Sequence, residues 1–237
     1  MPVYHSLKTI LVRVPKTAST SISSKLHFIN AVEGGMFDQK YKHEGIIDIK
    51  NYMNKNSFDT CDKISFVRNP FDWLVSYYSY YKDLENASNI RDINVLEEAA
   101  IFNDDIHNKY ADGKRNLSDA SFEQFIKMIE KWHKEYDNFG PNLSQIEHPY
   151  QPQYKYLVDE NEDLIVDHIG KYEHINEEWD RISEEIGIKD KIFYSSLSKQ
   201  NASKHGDYKE YYTNELVDIV KDVYKKDFEM FNYEFSL

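Results

Sequence analysis

Two short segments of the chain combine residue types that bind anions. The first is Val14-Pro15-Lys16-Thr17-Ala18-Ser19-Thr20-Ser21. It follows a β-branched run and precedes a helical pattern, so backbone N–H groups at a helix N-terminus would face outward with the positive end of the helix dipole. Small residues let an oxyanion approach closely. The hydroxyls of Thr17, Ser19, Thr20 and Ser21 add donors, and Lys16 adds a mobile full charge. The bland alternative is a Ser/Thr-rich stretch that only starts a helix. A Walker A loop is excluded, because the GxxxxGK[ST] pattern occurs neither here nor elsewhere.

The second segment is Phe66-Val67-Arg68-Asn69-Pro70-Phe71-Asp72-Trp73-Leu74-Val75-Ser76-Tyr77-Tyr78. Arg68 stands at a strand end, and Ser76 lies two turns into the helix that follows. A planar guanidinium plus a hydroxyl, beside another helix N-terminus, suits a dianionic phosphate. Equally open is an Arg68–Asp72 pair that locks the strand–helix corner.

Other polar clusters have less to offer. His43-Glu44 cannot begin an HExxH zinc site, because Ile47 stands where the second histidine must be. The run Asn103-Asp104-Asp105-Ile106-His107 reads as a solvated acidic turn, and Asp159-Glu160-Asn161-Glu162-Asp163 as a charged loop between strands.

The elements that must position these groups follow from periodicity and punctuation. Thr9 to Val14 is apolar, β-branched and stopped by Pro15, which predicts a buried strand. A helix is expected over Ser19 to Ala31, with its hydroxyls where an N-cap belongs. Lys63 to Val67 predicts a second buried strand, and Asn69-Pro70 the cap and first residue of a helix through Tyr81. The middle, from about Ile93 to Tyr136, reads as helical. Its clearest piece opens on the capping box Ser121/Gln124 and continues as a core stripe of Phe122, Phe125, Ile126, Ile129 and Trp132. Leu164 to Ile169 predicts a third strand, with helices near Asn176 to Ile186 and Thr213 to Phe231. Strands alternating with helices imply an α/β fold with a mainly parallel sheet covered on both faces. In such folds ligands sit beyond the carboxyl ends of the strands, where both motifs fall.

Composition narrows the partners. The chain has 237 residues, enough for one sizeable α/β domain, with 41% hydrophobic and 30% charged residues. Its formal net charge of −12 disfavours non-specific binding to nucleic acid or anionic membranes. It also disfavours binding to a heavily sulfated polymer, unless a local basic cleft overrides it. One cysteine, Cys61, permits no intrachain disulfide and fits a reducing compartment, so a cytoplasmic location is expected. No apolar run approaches a membrane span.

In order and separation, PKTASTS and FVRNPFDWLVSYY resemble the two signatures that bind 3′-phosphoadenosine 5′-phosphosulfate (PAPS) in the sulfotransferase superfamily. The match is residue by residue at Pro15, Lys16, Thr17, Ser19, Thr20, Arg68, Asn69, Pro70 and Ser76. The first signature often has Gly where Ala18 stands, a small-for-small change expected to leave the loop undisturbed. The resemblance is to carbohydrate-type and bacterial members. It extends through VDHIGKYEHI (166–175) and KQNASKHGDYKEYY (199–212), and lapses between about Asn86 and His148.

The resemblance implies a P-loop-like central parallel β-sheet flanked by helices, with residues 1–237 forming a single sulfotransferase domain. It implies that Lys16, Thr17, Ala18, Ser19, Thr20 and Ser21 hold the 5′-phosphosulfate and that Arg68 and Ser76 hold the 3′-phosphate. Tyr172 would pack near the adenine, Glu173 would serve structure, and Ser203 and Lys204 would close over the nucleotide. PAPS is then the co-substrate, 3′,5′-ADP (PAP) the product, and no metal is required. The acceptor would be a carbohydrate or small-molecule hydroxyl. Lys16 would stabilise the leaving phosphate. The Lys42-His43 pair resembles a Lys-His found here in many members, which makes His43 the expected base and Glu44 its rival. A catalytically silent PAP-binding regulator and a P-loop-like phosphotransferase are the competing readings. The first would lose the base, and the second should carry Walker A glycines.

Overall fold

A computed structural model of the chain describes residues 3–38, 44–86, 120–136, 151–191 and 206–237. His43, Ser203, Lys204, the Asn103–His107 run and most of the helical middle lie outside these residues.

The strands are β1 (Val3–Tyr4), β2 (Thr9–Val12), β3 (Phe37–Asp38), β4 (Asp62–Val67) and β5 (His168–Lys171). They form one sheet in the order β3-β1-β2-β4-β5. β4 pairs parallel with β2 on one side and β5 on the other, and β1 pairs antiparallel with β2 and β3. The α/β class is the one expected. The antiparallel edge was missed, because two-residue strands carry no periodicity to read.

β2 is buried along its whole length, as a strand covered on both faces must be. Alternate residues divide between the two faces. Leu11, Ile64 and Phe66 pack with Ile22, Leu26 and Ile29 of α1 (Ser19–Val32) and with Trp179 and Ile182 of α6 (Ile175–Glu185). Ile10, Val12 and Val67 pack with α2 (Ile46–Tyr52), α3 (Lys55–Asp59) and the aromatic 3-10 turn Gln153–Tyr156. Phe66 and Gly170 are register partners, and a Cβ on Gly170 would come 2.5 Å from the Phe66 ring. Only glycine lets that ring lie across β5.

A helical cluster joins α4 (Pro70–Asn86), α5 (Phe122–Tyr136), α7 (Asn214–Val223) and α8 (Lys225–Met230). The predicted capping box of α5 is present: Ser121 N–H donates to Gln124 Oε1 (2.8 Å), and Gln124 N–H to Ser121 Oγ (3.2 Å). Phe122, Phe125, Ile126 and Ile129 form the buried stripe.

Several boundaries differ from expectation: β2 ends at Val12 rather than Val14, and α4 runs to Asn86 rather than Tyr81. The third parallel strand begins at His168, not Leu164. The chain reverses at 159–163, so that Ile165 N–H donates to the Leu157 carbonyl and Val158 bridges Leu164. Leu164 therefore belongs to a hairpin arm and is exposed. Within that turn Glu162 accepts from Lys226 and from Lys155 at 3.0 Å, and these bonds pull its carboxyl down to about 2. The terminal helix expected over Thr213 to Phe231 is broken at Tyr224, which is buried against Trp73.

The loop after β2 has its own backbone signature. Lys16 (φ 61°) and Ala18 (φ 59°) are both left-handed, and Ala18 is the N-cap of α1. A Cβ in that region is unfavourable by roughly 1–2 kcal/mol. The loop forms with Ala18 in place, at a conformational cost that glycine would not carry. Ala18→Gly is expected to raise folding stability by about 0.5–1 kcal/mol, the relief of strain exceeding the entropy glycine adds to the unfolded chain. Urea denaturation measures this, and a lower midpoint in the variant would mean the folded loop does not need a left-handed residue there.

Candidate active site

The carboxyl ends of β2, β4 and β5 share one edge of the sheet, and each strand is followed there by one element of the site. After β2 comes the loop Arg13–Ala18. Three of its successive carbonyls are bound from within the protein. Val14 O accepts from the Thr17 hydroxyl (2.8 Å), Pro15 O from the Trp73 indole N–H (2.8 Å) and Lys16 O from Arg68 Nη1 (3.3 Å). In a trans peptide the N–H points opposite to the C=O. The N–H groups of Lys16 and Thr17 are thereby turned away from Trp73 and Arg68. Alternating backbone hand of this kind forms an anion-binding concavity. α1 adds its first-turn N–H groups, for which Ala18 provides no side-chain cap.

The hydroxyls divide by environment. Thr17 is fully buried and spends its proton on Val14, so it shapes the loop. Ser19 and Ser21 are buried in the first turn of α1, while Thr20 is half-exposed. They lie inside the helix, not at its cap, because Ala18 takes that position. Thr20 Oγ1 accepts from Arg13 Nη2 at 3.1 Å. Arg13 is a buried guanidinium beside the first turn of α1 that sequence reasoning passed over. The available signal was a full charge inside the apolar run TILVRV.

β4 is followed by Arg68, which is buried. Its Nε donates to Asp72 Oδ2 at 2.7 Å, so the corner lock weighed from sequence is present. A guanidinium has five N–H donors, and the bonds to Asp72 and Lys16 O do not exhaust them. The N-terminus of α4 is less available than expected. Asn69 Oδ1 accepts from Phe71 N–H (3.0 Å), and Glu173 Oε1 accepts from Asn69 N–H (2.6 Å). The full positive charge at this corner is that of Arg68, paired with Asp72. Glu173 also accepts from the Tyr233 hydroxyl (2.9 Å), the structural role expected of it. Burial first, then the Glu173 charge, push the Tyr233 phenol well up.

Tyr172 follows β5. Val67 and Lys171 are register partners, so Arg68 and Tyr172 are neighbours across the sheet edge. The guanidinium lies 4.1 Å from the Tyr172 ring centroid.

Ser76 is buried on α4. It is three residues after Trp73, which binds Pro15 O, and four before Tyr80, whose ring lies 4.2 Å from the Lys16 ammonium. That spacing puts Trp73, Ser76 and Tyr80 on one helix face, turned toward the loop. Glu44 is buried and accepts from the Tyr52 hydroxyl at 3.1 Å. The turn Tyr208–Tyr211 and Tyr212 pack on α4, where the Tyr212 hydroxyl donates to Phe71 O at 2.8 Å. Burial, with the charges of Asp72 and Glu173, raises the Tyr208 phenol.

Gln153 was not singled out in the sequence. It is fully buried, and its side-chain amide brackets the Arg68 backbone. No helix among the described residues is long and apolar enough to cross a membrane.

The structure therefore brings Lys16 to Ser21, Arg68, Ser76 and Tyr172 to one edge, and adds Arg13. A comparison with protein-family models finds the sulfotransferase family over residues 3–234. No curated protein and no solved structure gives a match. The family match covers nearly the whole chain and includes every strand and helix that builds this edge: the chain belongs to the sulfotransferase family.

Proposed function

We propose that the protein transfers a sulfuryl group from PAPS to an acceptor hydroxyl, on a carbohydrate or small molecule, within one domain spanning residues 1–237. The observation that carries this reading is the junction of two cation-bearing elements. Arg68, after β4, hydrogen-bonds the carbonyl of Lys16, after β2. A nucleotide with phosphates at both ends of its ribose needs two such anion sites at a fixed spacing. In this reading the loop Lys16–Ser21 takes the 5′-phosphosulfate, Arg68 and Ser76 take the 3′-phosphate, and Tyr172 presents its outer face to the adenine. Ser203 and Lys204 close over the nucleotide.

Sulfuryl transfer needs in-line geometry, neutralised oxygen charge and a base for the incoming hydroxyl. As the bond from sulfur to the bridging oxygen breaks, charge grows on the leaving phosphate of PAP. Lys16 meets that charge, an interaction stronger in the transition state than in the ground state. The acceptor oxygen forms the new bond to sulfur and gives its proton to His43. Glu44, buried and engaged by Tyr52, suits a fixed structural carboxylate better than a base that must gain and lose a proton.

The first test is ligand binding. PAP at ~100 times its Kd should stabilise the fold by about 2.7 kcal/mol, with or without EDTA, and ATP with Mg²⁺ should not match it. Arg68→Ala should weaken PAP by roughly 1.5–3 kcal/mol and AMP far less. Unchanged discrimination in calorimetry would refute the 3′-phosphate role.

Lys16→Ala should lower kcat by about 10²–10³ with a much smaller loss of PAPS affinity. A turnover loss accounted for by weaker PAPS binding alone would make Lys16 a ground-state anchor. His43→Ala should lower kcat by about 10²–10⁴, leave PAP affinity nearly intact and remove the acid limb of the kcat/KM profile. Rates of His43→Ala and Glu44→Gln at saturating PAPS, from about pH 5 to 9, decide the base. Near-parental turnover in the first beside collapse in the second would transfer the role to Glu44.

A further inference from the structure

We infer that Gln153, held in place by Asp227, is a positioning residue for Arg68 and through it sets the affinity of the site for the donor's 3′-phosphate. This rests on the reading of Arg68 given under Proposed function. Gln153 opens the 3-10 turn Gln153–Tyr156, and its side chain is completely buried. Its Oε1 accepts from the Arg68 N–H at 2.9 Å, and its Nε2 donates to the Arg68 carbonyl at 2.7 Å. Both partners demand this orientation of the amide, since an N–H needs an acceptor and a carbonyl a donor. The pair of bonds is what a neighbouring strand would supply. It extends the ladder one residue beyond Val67, where β4 ends.

The clamp is itself anchored. The backbone N–H groups of Gln153 and Tyr154 donate to the two carboxylate oxygens of Asp227, at 2.9 and 2.8 Å. Asp227 is fully buried on α8, beyond the helix break at Tyr224. The chain therefore runs from α8 through Asp227 and Gln153 to the Arg68 backbone, with every contact shielded from water. Once the N–H and carbonyl of Arg68 are fixed, its Cα–Cβ direction is fixed. The guanidinium can then meet Asp72, Lys16 O and the Tyr172 ring at once. Removing the amide leaves two buried backbone groups unpaired and frees that direction.

Because the bonds reach the Arg68 backbone, they survive Arg68→Ala, so a structural loss persists in that background and a positioning loss does not. Affinities for PAP and AMP, and melting temperatures, are measured for the parent, Gln153→Met, Arg68→Ala and the double variant. Gln153→Met should reduce the PAP-over-AMP preference about tenfold, while AMP binding changes by less than about twofold. In the Arg68→Ala background Gln153→Met should leave that preference unchanged, yet lower the melting temperature as it does in the parent. Should Gln153→Met not fold, Gln153→Glu keeps the length and the acceptor but sets an oxygen against the Arg68 carbonyl, and the same pattern is expected. Equal losses of PAP and AMP, an unchanged preference, or a further fall in the Arg68→Ala background would overturn the positioning role. If Arg68→Ala itself leaves the preference intact, the 3′-phosphate reading fails and this inference falls with it.

Discussion

The parallel pairing of β4 with β2 and β5 is the constraint on which the site depends. Val12 pairs with Ser65, and Val67 with Lys171, so three chains leave the sheet at the same edge within a residue or two of one another. The register is pinned from both faces: Leu11, Ile64 and Phe66 must meet α1 and α6, while Ile10, Val12 and Val67 must meet the opposite layer. A slip of one residue would exchange the two sets, and with them the face on which Arg68 emerges. Gly170 tightens the constraint, because only one position in β5 leaves room for the Phe66 ring.

At that edge, the loop after β2 is shaped by hydrogen bonds to its backbone carbonyls. The Thr17 hydroxyl, the Trp73 indole and the Arg68 guanidinium each bind a successive loop carbonyl. The N–H groups of Lys16 and Thr17, opposite the second and third of these carbonyls, point away from Trp73 and Arg68. This arrangement costs conformational strain at Lys16 and Ala18, and the surrounding contacts over-determine it. A chain with net charge −12 thus carries Arg13, Lys16 and Arg68 around one edge.

The last third of the chain holds the first third in working order. Glu173 ties the start of α4 to Tyr233, Tyr212 ties Phe71 to the C-terminal segment, and Asp227 supports Gln153 beneath Arg68. Burial pushes the Asp227 carboxyl up to about 7 even though two N–H groups favour its charged form. Its hydrogen-bond partners are the backbone N–H groups of the turn that brackets Arg68.

The sequence by itself determined the two motifs, their position between strands and helices, the α/β class and most helix starts. Each of these is written in nearest-neighbour chemistry: β-branched runs, the Asn69-Pro70 start of α4, the Ser121/Gln124 box. Only the tertiary structure decided that Arg68 serves Asp72, Lys16 and Tyr172 together, that Thr17 turns inward, and that Ala18 stands left-handed at the cap. It alone revealed Arg13, Gln153 and Asp227 as parts of the site's frame. The physical reason is distance along the chain. Gln153 meets Arg68 across 85 residues and Asp227 across 74. A hydrogen bond between such partners leaves no period, cap or spacing in either segment. It exists only once the parallel register and the break at Tyr224 have brought them together.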